Sequence, residues 1–201
     1  MDFPQILNWR DVEGLGSEAD NAQMDRIVCE HQAKIRAPLL CLEIGSYKGR
    51  SAVLFAQYGR TICIDLFGNV HHGERFPETI GENFGAFLET IKRFGLIGRV
   101  FPILSSSEFL TVIPPLNCDV IYVDADHSYA AAKADISRSL RHLRPEGLLL
   151  CHDYKTPGNP PHIGVNQAVD DLVADGEFGV LEHTGGLVCL QRGIGASTTA
   201  S

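Results

Sequence analysis

The stretch Leu39-Leu40-Cys41-Leu42-Glu43-Ile44-Gly45-Ser46-Tyr47-Lys48-Gly49-Arg50-Ser51-Ala52-Val53-Leu54-Phe55-Ala56 decides the fold. It opens with an apolar run of strand length and closes on a run that reads as a helix. Between them lies a turn carrying Gly45 and Gly49, with Glu43 just ahead of it. A buried strand, a tight glycine turn and a helix N-terminus together form a cradle in which backbone can approach a ligand closely.

Outward from this unit, strand and helix patterns alternate. Short apolar runs at 61–65, 100–104, 119–123 and 147–151 join 39–44 as expected buried parallel strands. Helices are expected at 18–35, 49–58, 80–94, 107–112, 128–143 and 165–174. Late strands at 178–182 and 187–191 flank Thr184-Gly185-Gly186, a hairpin turn. The pattern predicts an α/β protein with a single Rossmann-like, doubly wound sheet. The sheet is mostly parallel, with a C-terminal antiparallel hairpin strand and helices on both faces. One domain is expected over 1–192, with residues 1–37 as an N-terminal helical extension and 193–201 as a disordered tail. Trp9, with Phe3, Pro4 and Ile6, is read as lying outside the core, in a flap or a homodimer contact.

The 201 residues suffice for one domain with a core, and 44% hydrophobic and 21% charged content marks an ordered globular chain. A net charge of −8 argues against nucleic-acid or anionic-membrane binding. No apolar stretch reaches the about 18 residues of a membrane span, and no signal peptide is visible. Six cysteines without a CxxC pair read as free thiols of a cytoplasmic protein.

The glycine turn lacks the third glycine of a dinucleotide site, so a cofactor without phosphates fits better than NAD. Asp65 ends the second strand about 20 residues beyond Gly45, the place of a ribose-binding carboxylate. Tyr47, inside the turn, either covers part of a bound cofactor or packs against the sheet. A second constellation is Asp124-Ala125-Asp126-His127-Ser128 after one strand and His152-Asp153 after the next. Neighbouring strand ends bring Asp124, His152 and Asp153 together. Carboxylates suit Mg²⁺, and a histidine among them tilts the choice toward Mn²⁺, iron or zinc. Asp126 and Ser128 also fit a plain helix cap. Loops 67–79 (with His71 and His72) and 154–164 (with His162) follow strand ends and are candidate substrate lids, their histidines being read as solvated.

The run Leu42 to Val53 resembles the glycine turn of class I S-adenosylmethionine-dependent methyltransferases, of the catechol O-methyltransferase type. Asp124-Ala125-Asp126-His127-Ser128-Tyr129 followed by His152-Asp153-Tyr154 is similar to a bacterial group around cephalosporin- and macrolide-cluster methyltransferases. The resemblance spans roughly 39–175. It implies that Glu43, Gly45, Ser46, Tyr47, Gly49, Ser51, Asp65, Ser106, Ser107 and Asp124 surround S-adenosyl-L-methionine. Gly45 would let backbone pass the cofactor, Ser51 would bind its methionine carboxylate, and Glu43 would face its ammonium. Ser106 and Ser107 would flank adenine, and Ser105 or Ser106 also fits a helix N-cap. It further implies His127 as general base where catechol-type enzymes carry a lysine, with Asp124, His152 and Asp153 around Mg²⁺ or Mn²⁺. In catechol-type enzymes the matching positions hold Asp, Asp and Asn, and in the antibiotic-related group the last two are acidic, so His152 departs from both. The implied reaction is O-methylation of a small hydroxylated acceptor. A non-catalytic S-adenosyl-binding module and an NAD-linked oxidoreductase are the alternatives.

Overall fold

Side-chain alternation along the central strand places apolar groups on both of its sides, and two helical layers cover them. The computed structural model describes residues 8–68, 70–71, 74–75, 80–156 and 163–193. Strand β1 (Leu39–Ile44) pairs in parallel with β2 (Gly59–Asp65) on one side and with β6 (Cys118–Val123) on the other. Beyond β2 lies β5 (Val100–Leu104), and beyond β6 lies β7 (Leu143–Cys151), both parallel. The hairpin β8 (Phe178–Thr184) and β9 (Leu187–Arg192) completes the order β5-β2-β1-β6-β7-β9-β8. Only β9 runs against the other strands of this sheet. Two short strands, β3 (Val70–His71) and β4 (Glu74–Arg75), form a separate ribbon. The chain winds from β1 toward β5, then returns to build the other half. The gap between the ends of β1 and β6 is therefore the topological switch point, where open α/β sheets bind ligands.

Cys41, Val120, Tyr122, Leu148 and Leu150 point into one core with helices α1 (Glu18–Ile35) and α2 (Arg50–Ala56), and with Phe87 and Ile91 of α3 (Ile80–Arg93). Leu42, Ile44, Ile121, Val123 and Leu149 point into the other, with α4 (Tyr129–Leu140) and α5 (Ile163–Ala174). This is the doubly wound sheet expected from the sequence. Ser17 caps α1 by accepting from the Asp20 amide at 3.0 Å, and Arg36 closes it in the left-handed region, ahead of Pro38.

Several expectations shift. Trp9 is buried at 2% exposure in the α1–α2 core, because a short 3₁₀ turn (Trp9–Asp11) carries it back onto the sheet, so it forms neither a flap nor an exposed contact. The helix expected at 107–112 is a five-residue 3₁₀ turn, Ser107–Thr111. The helix expected to reach 143 stops at Leu140. His142, fully buried, holds the Leu110 carbonyl with Nε2 at 2.9 Å and accepts from the Leu116 amide, and Leu143 already pairs with Cys118 in β7. The described cysteines are all free. Phe3, Pro4, Ile6, His72, His162, much of the two candidate lids and residues 194–201 lie outside the described residues. Among the described residues no helix is long and apolar enough to cross a membrane.

Candidate active site

Gly45 adopts φ +89°, and a Cβ there would lie 2.0 Å from the carbonyl oxygen of Asp124. The glycine is thus demanded by the close approach of the β1 and β6 ends, a reason the local sequence does not contain. The Gly45 amide bonds Ile64 and the Asp124 amide bonds Ile44, locking the switch point. Gly49 (φ +93°) turns the chain into α2, and Tyr47 sits at φ +46°, half-exposed on the cavity wall rather than packed against the sheet.

Glu43 is fully buried beneath this turn. The Ser46 hydroxyl donates to Oε2 at 2.7 Å, while Oε1 has no partner of hydrogen-bonding geometry. Burial raises the Glu43 carboxyl to about 7 against the nearby Ser51, Ser46 and Cys63. A cationic or donating group reaching this carboxylate would satisfy it. Asp65, at the end of β2, accepts from the amides of Ser46 (2.6 Å), Tyr47 (2.8 Å) and Phe67, so it also holds the turn. Two carboxylate oxygens offer about four acceptor positions, which leaves capacity for a further donor. Asp65→Ala should weaken cofactor binding at least about tenfold, since it frees three amides and removes an acceptor. Titration calorimetry with S-adenosylhomocysteine tests this, and unchanged affinity would remove Asp65 from the site.

Across the cavity, Asp124 ends β6 and His152-Asp153 follow β7. Asp124, His152 and Asp153 each offer a ligand atom, and these atoms lie within 4.8 Å of one another. The expected trio is therefore brought together. Tyr122 donates to Asp124 Oδ2 at 2.8 Å. His127 Nε2 lies 3.0 Å from Asp153 Oδ2 and 3.7 Å from Asp124 Oδ1. His152 Nδ1 lies 3.2 Å from Asp153 Oδ2 and 3.6 Å from Asp124 Oδ1. Asp153 takes φ +60°, an uncommon backbone for a side-chain-bearing residue, which aims its carboxylate between the imidazoles.

Burial opposes charge on His127, yet Asp124 and Asp153 outweigh it and raise the imidazole to about 9. His152 is likewise buried and is raised to about 11 by Asp124, Asp153 and Asp20. Burial works to raise Asp153, and the two imidazoles overcome it and hold the carboxyl well below its usual range. With the protein's own charges alone, both histidines carry protons at neutral pH. The donor set suits a divalent cation, which would replace the second proton of His152 and compete with His127 for its carboxylate partners.

The sign of the linkage follows from these shifts. A histidine at about 6.5 when unfolded and about 9 when folded stabilises the fold below pH 6.5 and loses that contribution as pH rises to 9. In chelator, the denaturation midpoint should fall between pH 7 and 9, less steeply in His127→Gln. Equal slopes would show that His127 is not held in this charged pair.

Ser106 and Ser107 also reach the cavity. Ser107 is buried, donates to Asp135 and accepts from Arg138 Nη1 at 2.9 Å, so α4 fixes this corner. Ser106 sits at the N-cap of the 3₁₀ turn, and its side chain makes no cap bond. The two halves open into one cavity of about 570 Å³, bounded on its outer side by residues 13–16. Arg50 holds that strap by donating from Nε to the Val12 carbonyl (2.7 Å) and from Nη1 to the Gly16 carbonyl (3.1 Å).

A family model described as "Methyltransferase domain" matches residues 42–154, which contain the glycine turn, Asp124, His127, His152 and Asp153. The chain belongs to this methyltransferase family. No curated protein sequence matches it. Solved structures share the fold at low identity. An O-methyltransferase from Bacillus cereus in complex with SAH aligns at TM-score 0.64 and 16% identity, over 89% of this chain and 83% of that one. The O-methyltransferase TomG from Streptomyces achromogenes, in complex with SAM, aligns at 0.61 and 16%, over 89% and 81%. An N1-methyltransferase of 1,6-didemethyltoxoflavin from Burkholderia thailandensis aligns at 0.52 and 17%, over 86% and 77%.

Two parts of this candidate site lie outside the matched segment and escaped the sequence reading. One is the strap, whose Gly14 leaves room for the Arg50 side chain, where a Cβ would meet Nε at 2.9 Å. Paired glycines around Leu15 were the available signal. The other is Asp20 on α1, 3.4 Å from His152 Nε2. Ser17-Glu18-Ala19-Asp20 reads as a helix cap, and nothing local announces its second contact.

Proposed function

We propose that this protein is an S-adenosylmethionine-dependent methyltransferase that methylates a hydroxyl of a small acceptor, with a divalent cation at Asp124, Asp153 and His152. The observation that carries the reading is the shared cavity. The glycine turn forms one wall, with the under-satisfied Glu43 carboxylate buried beneath it, and the carboxylate–imidazole cluster forms the other. The wall at the β1 end suits the cofactor. Glu43 receives the ammonium, Ser51 the methionine carboxylate and Asp65 the ribose, while Ser106 and Ser107 edge the adenine. The half-exposed Tyr47 ring lies where it can cover a sulfonium. S-adenosylmethionine supplies the methyl group. A cation at the trio would lower the pKa of the acceptor hydroxyl and hold it in place.

The chain's own residues orient and take the proton. Once Asp124 and Asp153 are engaged elsewhere, they no longer hold the His127 proton, and the imidazole becomes a base near neutral pH. His127 then accepts the hydroxyl proton on Nε2 as the carbon–oxygen bond forms and the carbon–sulfur bond breaks. The fold is shared by oxygen and nitrogen methyltransferases, so the oxygen acceptor rests on this cluster and not on the fold.

Calorimetric titration of S-adenosylhomocysteine, with and without Mg²⁺ or Mn²⁺, is the deciding experiment. Binding in both conditions, with cation-dependent turnover of a hydroxylated acceptor panel, is expected. Absence of binding in either condition overturns the reading. Binding with no turnover across the panel would favour a non-catalytic module.

A further inference from the structure

We propose that Asp20 is a positioning residue for the candidate cation site, holding the Nε2 edge of His152 so that Nδ1 faces Asp124 and Asp153. The inference rests on the cation reading above. The imidazole stands between two sets of carboxylates. Its buried Nε2 has no partner of hydrogen-bonding geometry and faces Asp20 Oδ2 at 3.4 Å as an ion-pair contact, and its Nδ1 lies 3.2 Å from Asp153 Oδ2 and 3.6 Å from Asp124 Oδ1. A half-turn of the ring would put carbon atoms, Cδ2 and Cε1, where Nδ1 and Nε2 now face carboxylates, so the outer carboxylate favours the orientation that keeps Nδ1 toward the cation site.

Asp20 is itself fixed from two directions. The Ser17 hydroxyl donates to Oδ2 at 2.7 Å, and the Gly186 amide donates to Oδ1 at 3.1 Å. Gly185 makes room for it, since a Cβ there would lie 2.2 Å from Oδ1. The first turn of α1 and the β8–β9 turn thus converge on one carboxylate. An aspartate serving only the helix end would sit in solvent, where the helix dipole and the cap are satisfied without further contacts. Here both side chains are close to nine-tenths buried, 12% exposed for Asp20 and 11% for His152. A carboxylate accepting from the outer nitrogen of a ligating histidine fixes the ring and raises its basicity, and losing such a partner weakens metal affinity about 10–100-fold. Imidazole ligation favours Mn²⁺ over Mg²⁺, so Asp20 also shapes which cation is preferred.

The test is calorimetric titration of Mn²⁺ and Mg²⁺ into the full chain and its variants, with S-adenosylhomocysteine affinity and thermal midpoint measured on each. Asp20→Asn should weaken Mn²⁺ about 10–100-fold, affect Mg²⁺ less, and leave S-adenosylhomocysteine affinity within about threefold. Nitrogen modulation in the spin echo of bound Mn²⁺ should diminish. Ser17→Ala, which removes one of the two donors that fix Asp20, should weaken Mn²⁺ less than Asp20→Asn does. In a His152→Ala background Asp20→Asn should add nothing. If Asp20→Asn does not fold, Asp20→Glu must still weaken Mn²⁺ more than about twofold. Mn²⁺ affinity unchanged in the Asp20 variant, or loss of Mn²⁺ and S-adenosylhomocysteine in equal measure, overturns the assignment. Should the unmodified protein bind S-adenosylhomocysteine but no Mn²⁺, the cation reading fails with it. Should unmodified and Asp20 variants bind Mn²⁺ alike, only Asp20 is wrongly assigned.

Discussion

Asp124→Asn is expected to lower kcat/KM by about 10²–10⁴-fold while leaving S-adenosylhomocysteine affinity within about threefold. The carboxylate stands where the two walls of the cavity meet. It accepts from Tyr122, faces His127 and His152, and follows the peptide that packs on Gly45. Asparagine keeps an acceptor for the buried Tyr122 hydroxyl, so the fold should survive and the loss can be assigned to charge. Alanine would strand that hydroxyl and mix stability with chemistry. A second readout separates the effects of removing the charge. The variant should lose most of its divalent-ion dependence, because a ligand is gone, and the His127 imidazole should titrate lower, because one of its two carboxylate partners is gone. Steady-state kinetics across a Mn²⁺ series, with the histidine followed by NMR, measures both. Retention of the parent's ion dependence would remove Asp124 from the cation site.

Gly45→Ala is expected to destabilise the protein by more than about 4 kcal/mol and to abolish cofactor binding. Two independent obstacles act together. The backbone at φ +89° is unfavourable for any side chain, and the Cβ would lie 2.0 Å from the Asp124 carbonyl oxygen. That oxygen belongs to the residue whose own amide already bonds the Ile44 carbonyl, so it cannot retreat far without disturbing the contact between the β1 and β6 ends. Gly85→Ala is the matched contrast. It lies inside α3, and a Cβ there meets nothing within 4 Å. It should be neutral or stabilise by about 0.4–1 kcal/mol. Guanidinium denaturation of the two variants checks the pair. A Gly45→Ala protein as stable as its parent would mean that the β1–β6 ends are not packed as described.

The cysteines and apolar residues at strand positions were legible because burial on both faces leaves a continuous apolar run, and such runs mark β1, β2, β5, β6 and β7. Their ends were legible for the same reason. Where the run stops, Glu43, Asp65, Asp124 and His152-Asp153 stand, and parallel strands of similar length bring those ends to one edge. The error at 107–112 came from reading a short amphipathic segment as α-helix when its five residues close only a 3₁₀ turn. The error at 143 had a different cause. His142 reads as a polar helix residue, but its ring is a buried bridge to the Leu110 carbonyl and the Leu116 amide, contacts across about 30 residues of sequence.

By itself the sequence determined the alternation of elements, the glycine turn and the identity of the side chains at the strand ends, because each depends on neighbours within a few residues. The tertiary structure alone decided the rest. It put Trp9 in the core, gave Gly45 its reason in the Asp124 carbonyl, closed the cavity with the strap held by Arg50, and set Asp20 behind His152. It also set the environment of His127, whose imidazole is raised to about 9 only because two carboxylates from different loops outweigh its burial. Such proximity is created by chain reversal between distant segments, and local spacing carries no record of it.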